Sequence, residues 1–257
     1  MKGIVSSGGR PVSKPGDLIF TGDSIEIRES QKRYASRGGL KLEGIFKDLG
    51  LNTSGKTVID IGSSTGGFTD FLLRNGAKHI TAVDVGSGLL DWDLRNNNSV
   101  TVLEKTNIRY LDPALIKYKP ELAVVDLSFI SINRVFRKIM DISSDDAGIL
   151  LLVKPQFELK KKLVKHKGIV KEKTYHIKAL KDMIEYLKNF KVSIEGISFS
   201  HIKGNAGNIE FWIYLKKARI SAKSNINYDK IIGDVVDRAH LFFTKEIINE
   251  NYRHNLK

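Results

Sequence analysis

The sequence predicts an α/β fold: a doubly wound, Rossmann-like sheet of seven strands with its last pair antiparallel, a small β-rich piece before it and a C-terminal helix after it. Three observations predict this. From Gly38 onward, short apolar runs alternate with helical stretches, which is the pattern of a parallel sheet with crossover helices. The first of these runs, 57–61, ends in a glycine-rich turn that opens a helix. The last two runs, 191–199 and 209–215, are too close in sequence for a crossover helix of a dozen residues, so they are expected to pair antiparallel.

In chain order, residues 1–30 read as a partial, β-rich module, punctuated by turns at Gly8-Gly9, Pro11 and Lys14-Pro15-Gly16, with a short alternating strand at Ile25-Glu26-Ile27. Residues 31–37 read as a linker, 38–216 as the main domain, and 217–257 as a second linker with an amphipathic helix. Leu40, Ile45, Phe46 and Leu49 mark one face of the first helix. The remaining strands are expected at 79–84, 100–104, 121–126 and 147–153, and the helices at 66–75, 88–96, 132–141 and 173–189. The C-terminal helix, 228–249, carries Ile231, Ile232, Val235, Ala239 and Phe242 on one stripe, which is expected to pack on the core.

The 257 residues are 41% apolar and 28% charged, enough for one substantial domain with a packed core. There is no cysteine, which excludes disulfides, thiolate nucleophiles and cysteine-based metal sites. It also excludes methylation at carbon 5 of a pyrimidine by the usual thiol-activated route. The six histidines show no metal-ligand spacing. The net charge of +13 points to a polyanionic partner. No apolar run is long enough to span a bilayer and the first residues lack a signal-peptide core, so the expected location is the cytoplasm.

The turn after the first main strand reads Asp60-Ile61-Gly62-Ser63-Ser64-Thr65-Gly66-Gly67-Phe68. A dinucleotide loop needs Gly-x-Gly-x-x-Gly. Here the spacing is Gly-x-x-x-Gly-Gly, with a carboxylate two residues ahead that would repel a pyrophosphate. That acid suits a cationic amino-acid headgroup such as that of S-adenosylmethionine. A second acid, Asp84, ends the next strand, where it can accept both hydroxyls of an adenosine ribose. Four more polar residues fall at positions that converge in such a fold: Lys41 in the helix before the first main strand, Asp126 and Lys154 at two strand ends, and Glu210 at the start of the last strand. An ordinary lysine titrates near 10.4, too high for a base at neutral pH. Burial and a second lysine are expected to lower it, with the acids balancing the charge. The segment Asp126-Leu127-Ser128-Phe129 lacks the prolines of amine-methylating loops, which favours a hydroxyl acceptor.

The segments Ser36-Arg37-Gly38-Gly39-Leu40-Lys41-Leu42, 60–70, 82–86, 104–107, 126–131, 154–158 and 204–211 together resemble the haemolysin-A (TlyA) family of ribosomal-RNA methyltransferases, whose catalytic domain is FtsJ-like. The resemblance covers about residues 1–216. It implies methylation of a ribose 2′-hydroxyl, typically of cytidine, with Lys41, Asp126, Lys154 and Glu210 as the catalytic tetrad. In it, Lys154 acts as the base, Asp126 orients it, Lys41 assists and Glu210 positions the set. The cofactor set expected from these motifs is Asp60, Gly62, Ser63, Gly66, Gly67, Phe68, Asp84, Val85, Asn107 and Asp126. The resemblance also implies an N-terminal RNA-binding module like that of a small-subunit ribosomal protein, of which this chain holds the latter half.

RNA contacts are expected from Arg10, Lys14, Arg33 and Arg37, and from Lys160, Lys161, Lys162 and Lys165 in the lysine-rich segment 154–173. Tyr34 can stack on a base or pack internally. The expected partner is ribosomal RNA within ribosomal subunits, with no obligate membrane. Two alternatives remain at this point: a membrane-active cytolysin, and an RNA-binding assembly factor without catalysis.

Overall fold

A computed structural model describes residues 5–12, 16–27, 33–164, 168–204, 206–217 and 226–254, with side chains of the last helix described through Lys245. The chain divides into two compact units, Met1–Arg33 and Tyr34–Lys257. The first unit holds a three-stranded antiparallel sheet, β1 (Val5–Ser7), β2 (Arg10–Val12) and β3 (Ile25–Ile27), with β1 in the middle. Asp23 accepts the Ser7 hydroxyl at 2.9 Å and closes its turn.

The second unit is built on a seven-stranded sheet. Its elements are α1 (Arg37–Leu49), β4 (Thr57–Ile61), α2 (Gly67–Arg74), β5 (His79–Val83), α3 (Trp92–Arg95), β6 (Val100–Leu103), β7 (Leu122–Val125), α4 (Phe136–Ile142), β8 (Gly148–Val153), α5 (Pro155–Glu158), α6 (Lys173–Leu187), β9 (Val192–Phe199), β10 (Phe211–Lys217) and α7 (Tyr228–His254). The strand order is β6-β5-β4-β7-β8-β10-β9. All neighbours are parallel except β10, which runs antiparallel to both β8 and β9, as the short final connection requires. Strands β4, β5, β7 and β8 are buried along their whole length, because helices cover both faces.

One face is closed by α4, α6 and α7, whose apolar side chains form the larger core with Ile59, Val125, Leu151 and Phe211. The other face is closed by α1 and α2 over Val58, Val124, Leu152 and Trp212. The last helix belongs to this unit. Its buried face is Ile232, Val235, Val236, Ala239 and Phe243. This corrects the predicted stripe: Ile231 is exposed and Phe242 half-buried, because the strip that meets β9 and α6 is turned toward Val236 and Phe243. Among the described residues no helix is long and apolar enough to cross a membrane.

Two further expectations shift for local reasons. The helix expected at 88–96 forms only at 92–95, because Glu104 collects the N–H groups of Gly88, Leu89 and Leu90 and the Arg95 guanidinium. These bonds hold the Glu104 carboxyl down at about 2, the Gly88 N–H being the main cause. The helix expected at 132–141 starts as a 3₁₀ turn at Ile132–Arg134, where Ser131 is the N-cap and Glu158 takes the Ile132 N–H at 3.0 Å and the Ser131 hydroxyl at 2.6 Å.

Candidate active site

The site lies beyond the carboxyl ends of the parallel strands, where this class of sheet places its ligands. Two helix starts meet there. Ser36 caps α1, its hydroxyl accepting the Gly38 N–H at 3.3 Å. Asp70 of α2 takes the Ala35 N–H at 2.8 Å and the Arg74 guanidinium at 2.6 Å, which ties the entry of α1 to α2. Two glycines of the loop are demanded by close approach. Gly62 sits at φ +90°, and a Cβ there would stand 2.2 Å from the Asp126 carbonyl. A Cβ on Gly67 would stand 2.2 Å from the Ser36 hydroxyl. The loop therefore lies directly against the β7 end on one side and the α1 start on the other.

Sheet register then assembles the charged groups. The Asp126 N–H donates to the Ile61 carbonyl, which sets Asp126 beside the loop. Phe211 pairs with Val153, so Glu210 and Lys154 come off neighbouring strands at the same end of the sheet. The Lys154 ammonium is 2.5 Å from Asp126 Oδ1 and donates to the Ser128 hydroxyl at 2.9 Å. Lys41 reaches across from α1 and donates to Glu210 Oε2 at 2.6 Å. Lys154 is 7% exposed and Glu210 2%, so both pairs are largely dry and cost free energy to bury. Gly204 leaves room for the Glu210 carboxylate, which would lie 2.3 Å from a Cβ there.

These residues line a cleft of about 700 Å³ together with Gly62, Ser63, Gly67, Phe68 and Arg37. All four members of the predicted tetrad are brought together in it. Asp60 is completely buried beneath the loop. Its Oδ2 accepts the Thr69 hydroxyl at 2.7 Å, and its Oδ1 has no hydrogen-bond partner among the described residues. Burial first, then the nearby Asp126 and Asp84 charges, push its carboxyl up to about 7.

The remaining cofactor candidates lie outside the cleft lining. Gly66 packs against Leu90 and Leu94, Val85 is exposed, and Asn107 caps the turn at 108–110 by accepting the Arg109 N–H. Asp84 accepts the Ser64 and Gly86 N–H groups at 2.8 and 2.7 Å, which orients its carboxylate at the strand end.

Of the RNA candidates, Lys160, Lys161 and Lys162 are exposed after α5, and Arg37 is exposed with its guanidinium on the Lys203 carbonyl. Arg10 lies over the Phe20 ring and Arg33 is exposed, both in the first unit. Lys14 and Lys165 fall outside the described residues. Tyr34 packs internally, its ring edge-on to Phe71 and over Gly39.

The sequence reading missed Ser128, Phe129, Gln156, Phe157, Lys203 and Asn208 in the cleft wall. Phe129 is the most unusual. It holds a left-handed backbone at φ +66°, is 91% exposed, and its ring stands 5.3 Å from that of Phe157. No apolar periodicity announces such a residue, because an exposed phenylalanine reads as core.

A family model described as FtsJ-like methyltransferase matches residues 34–217, the whole sheet and cleft. The chain belongs to this family. A relative from Bacillus subtilis, provisionally named rRNA methyltransferase YqxC, is 41% identical over 93% of this chain and 86% of its own length. The 16S/23S rRNA (cytidine-2′-O)-methyltransferase TlyA of Mycobacterium tuberculosis is 36% identical over 92% of this chain and 87% of its own. Among solved structures, a provisionally named hemolysin from Streptococcus thermophilus superposes with a TM-score of 0.81 at 38% identity, covering 95% of this chain and 88% of that one.

Proposed function

We propose that this chain transfers a methyl group from S-adenosylmethionine to the 2′-hydroxyl of a cytidine ribose in ribosomal RNA, in the cytoplasm. The observation that carries the reading is the pair of buried lysine–carboxylate contacts, Lys154–Asp126 and Lys41–Glu210, set beside the Gly62–Gly67 loop. The named activity of the Mycobacterium tuberculosis relative supports the nucleoside and the position.

The residues present fit the cofactor. A buried carboxylate with one oxygen unpartnered among the described residues lies under the loop, and Asp84 presents an oriented carboxylate at the next strand end. Gly62, Ser63 and Gly67 would hold the amino-acid portion, and Asp84 the ribose. When bound, S-adenosylmethionine supplies an electrophilic methyl on sulfur.

Lys154 does the proton work. In its amine form Lys154 has two N–H groups and one lone pair. The N–H groups go to Ser128 and toward Asp126, which leaves the lone pair for the 2′-hydroxyl. As the oxygen takes up the methyl group its proton passes to the Lys154 nitrogen, and the ammonium that forms is held by Asp126. Lys41 and Glu210 fix the opposite wall and add a second charge-balanced pair.

The exposed basic residues Arg37, Lys160, Lys161 and Lys162 would hold phosphates, as would Arg10 and Arg33 on the first unit. Phe129 and Phe157 offer a face on which the nucleobase can stack. Phe129→Ala is expected to raise KM for the RNA about tenfold or more, the loss of one base–aromatic stack of about 1–3 kcal/mol, with cofactor affinity unchanged.

The test is transfer of labelled methyl to purified 30S and 50S subunits, followed by mapping of ribose methylation. Label in one 2′-O-methylcytidine supports the reading. Label in a base, or none in either subunit despite cofactor binding, overturns it, and the second outcome favours an RNA-binding assembly role.

A further inference from the structure

The lysine-rich segment leaves the cleft wall after α5 and returns at Gly168–Val170, and its return is held by a row of buried hydrogen bonds. Asn208 is 1% exposed. Its Oδ1 accepts the Val170 N–H at 2.8 Å and its Nδ2 donates to the Gly168 carbonyl at 2.9 Å. His176 of α6, fully buried, meets the Val170 carbonyl through Nε2 at 3.1 Å. A carbonyl can only accept, so Nε2 carries the proton and Nδ1 is left as an acceptor. His240 of α7 places its Nε2 2.9 Å from that Nδ1 and is therefore the donor. The row runs from α7 through α6 to the loop, and ends two residues before Glu210.

We propose that His176 and Asn208 are positioning residues, which clasp the return of the lysine-rich loop against the Glu210 hairpin so that Lys160, Lys161 and Lys162 are presented beside the cleft to RNA. This rests on the reading of the chain as an enzyme acting on RNA.

Apolar contacts alone do not need such bonds. Leu159, Val170 and Ala179 already form a small cluster under the loop. What the polar row adds is direction: buried polar groups are costly unless each finds its partner, so one loop geometry is selected over others. Gly168 and Asn208 are themselves part of the cleft wall, so the clasp sets the loop at the rim of the cleft.

The clasp favours a neutral His176: a protonated ring keeps its bond to Val170, but it places a charge in a fully buried site and forces His240 to move its proton to Nδ1. The groups facing the pair are Glu172 at the N-cap of α6, Lys173 on α6, Asp237 on α7, and Lys203 in the connection from β9 to β10; on the sheet side the neighbour is the Phe211 ring. Burial, then His240, pushes His176 down to about 4, and burial, then Lys173, lowers His240. The held loop is thus complete at neutral pH and loosens as pH falls from the ordinary histidine range toward 4.

The test uses the full chain. His176→Phe keeps a ring against Phe211 and removes both bonds, whereas His176→Gln keeps an amide N–H for the Val170 carbonyl. Hydrogen exchange of 159–171 without RNA is expected to quicken about tenfold in His176→Phe, the loss of one or two net hydrogen bonds, and to recover in His176→Gln. Corrected for intrinsic rates, loop exchange in the wild type should quicken below pH 6.5, and in His176→Gln it should depend less steeply on pH. KM and Kd for 30S and 50S subunits should rise about tenfold in His176→Phe, with kcat and cofactor affinity within about twofold. If His176→Phe does not fold, His240→Phe, which removes only the outer donor, makes the same comparison.

Unchanged loop exchange overturns the clasp. A loosened loop with unchanged Kd for the subunits overturns its role in holding RNA. Absence of methyl transfer by the wild type, with RNA binding intact, overturns the functional reading, and the Kd comparison still decides the clasp.

Discussion

Replacing Lys154 with alanine is expected to lower methyl transfer to ribosomal RNA by about 10³-fold or more, while S-adenosylmethionine still binds within about threefold of the wild-type affinity. The reasoning starts from burial. Lys154 is nearly enclosed, and its ammonium is shared between Asp126 and Ser128. The carboxylate, the hydroxyl and the end of β8 hold the nitrogen at one point, so no neighbour can swing in to replace it. Asp126→Ala should cost about as much, because it removes the charge that keeps the ammonium in place. The double variant should be little worse than either single one, since groups that act as a unit lose their effect together. Lys154→Arg should not rescue: a guanidinium keeps its proton at all working pH values and is too wide for the same contacts. Radiolabel incorporation at saturating cofactor, with calorimetry for cofactor binding, separates chemistry from folding. Activity within tenfold of wild type in Lys154→Ala would remove the lysine from the proton-transfer step and sink the mechanism.

The strand pattern was legible because parallel strands covered on both faces read as continuous apolar runs, as in Ile149–Val153. Asp126 and Lys154 were legible for a related reason: a charge directly after such a run has few places to go but the strand-end cleft. The resemblance set Asp126 on Lys154 but gave Lys41 no carboxylate of its own. The fold sets Lys41 on Glu210, through the antiparallel register of β8 with β10 and the reach of α1. Register across a sheet is a long-range property that no local window contains. The shortened α3 and the 3₁₀ start before α4 were hidden similarly, since the chain entering each is tied by a distant glutamate, Glu104 on Gly88, Leu89 and Leu90 and Glu158 on Ile132. Phe129 escaped because its exposure depends on a positive φ, which phenylalanine rarely adopts.

Asp60 supplies the second large effect, and its sign can be worked out. Its carboxyl is raised from 3.8 to about 7 in the unliganded fold, chiefly by burial. A raised acid contributes stability that is fully present below 3.8 and is lost as pH rises through 7, so the unliganded protein should weaken across that window. A cationic headgroup on the loop favours the ionised form and pulls the carboxyl back down. Binding of S-adenosylmethionine must then release a proton near neutral pH, and affinity should rise with pH by up to about tenfold per unit until about 7, then level. Asp60→Asn keeps the shape and the Thr69 contact but cannot ionise. It should bind the cofactor about tenfold or more weakly at pH 8, lose the pH slope, and be more stable than wild type at pH 8 without cofactor. Calorimetry in two buffers of different ionisation enthalpy counts the released proton directly. A wild-type affinity that is flat from pH 5.5 to 8, and equal to that of Asp60→Asn, would mean that the carboxylate does not sense the cofactor. The acid two residues before Gly62 would then serve only to hold Thr69 and the start of α2, and the charge argument that separates this loop from a dinucleotide loop would lose its physical basis.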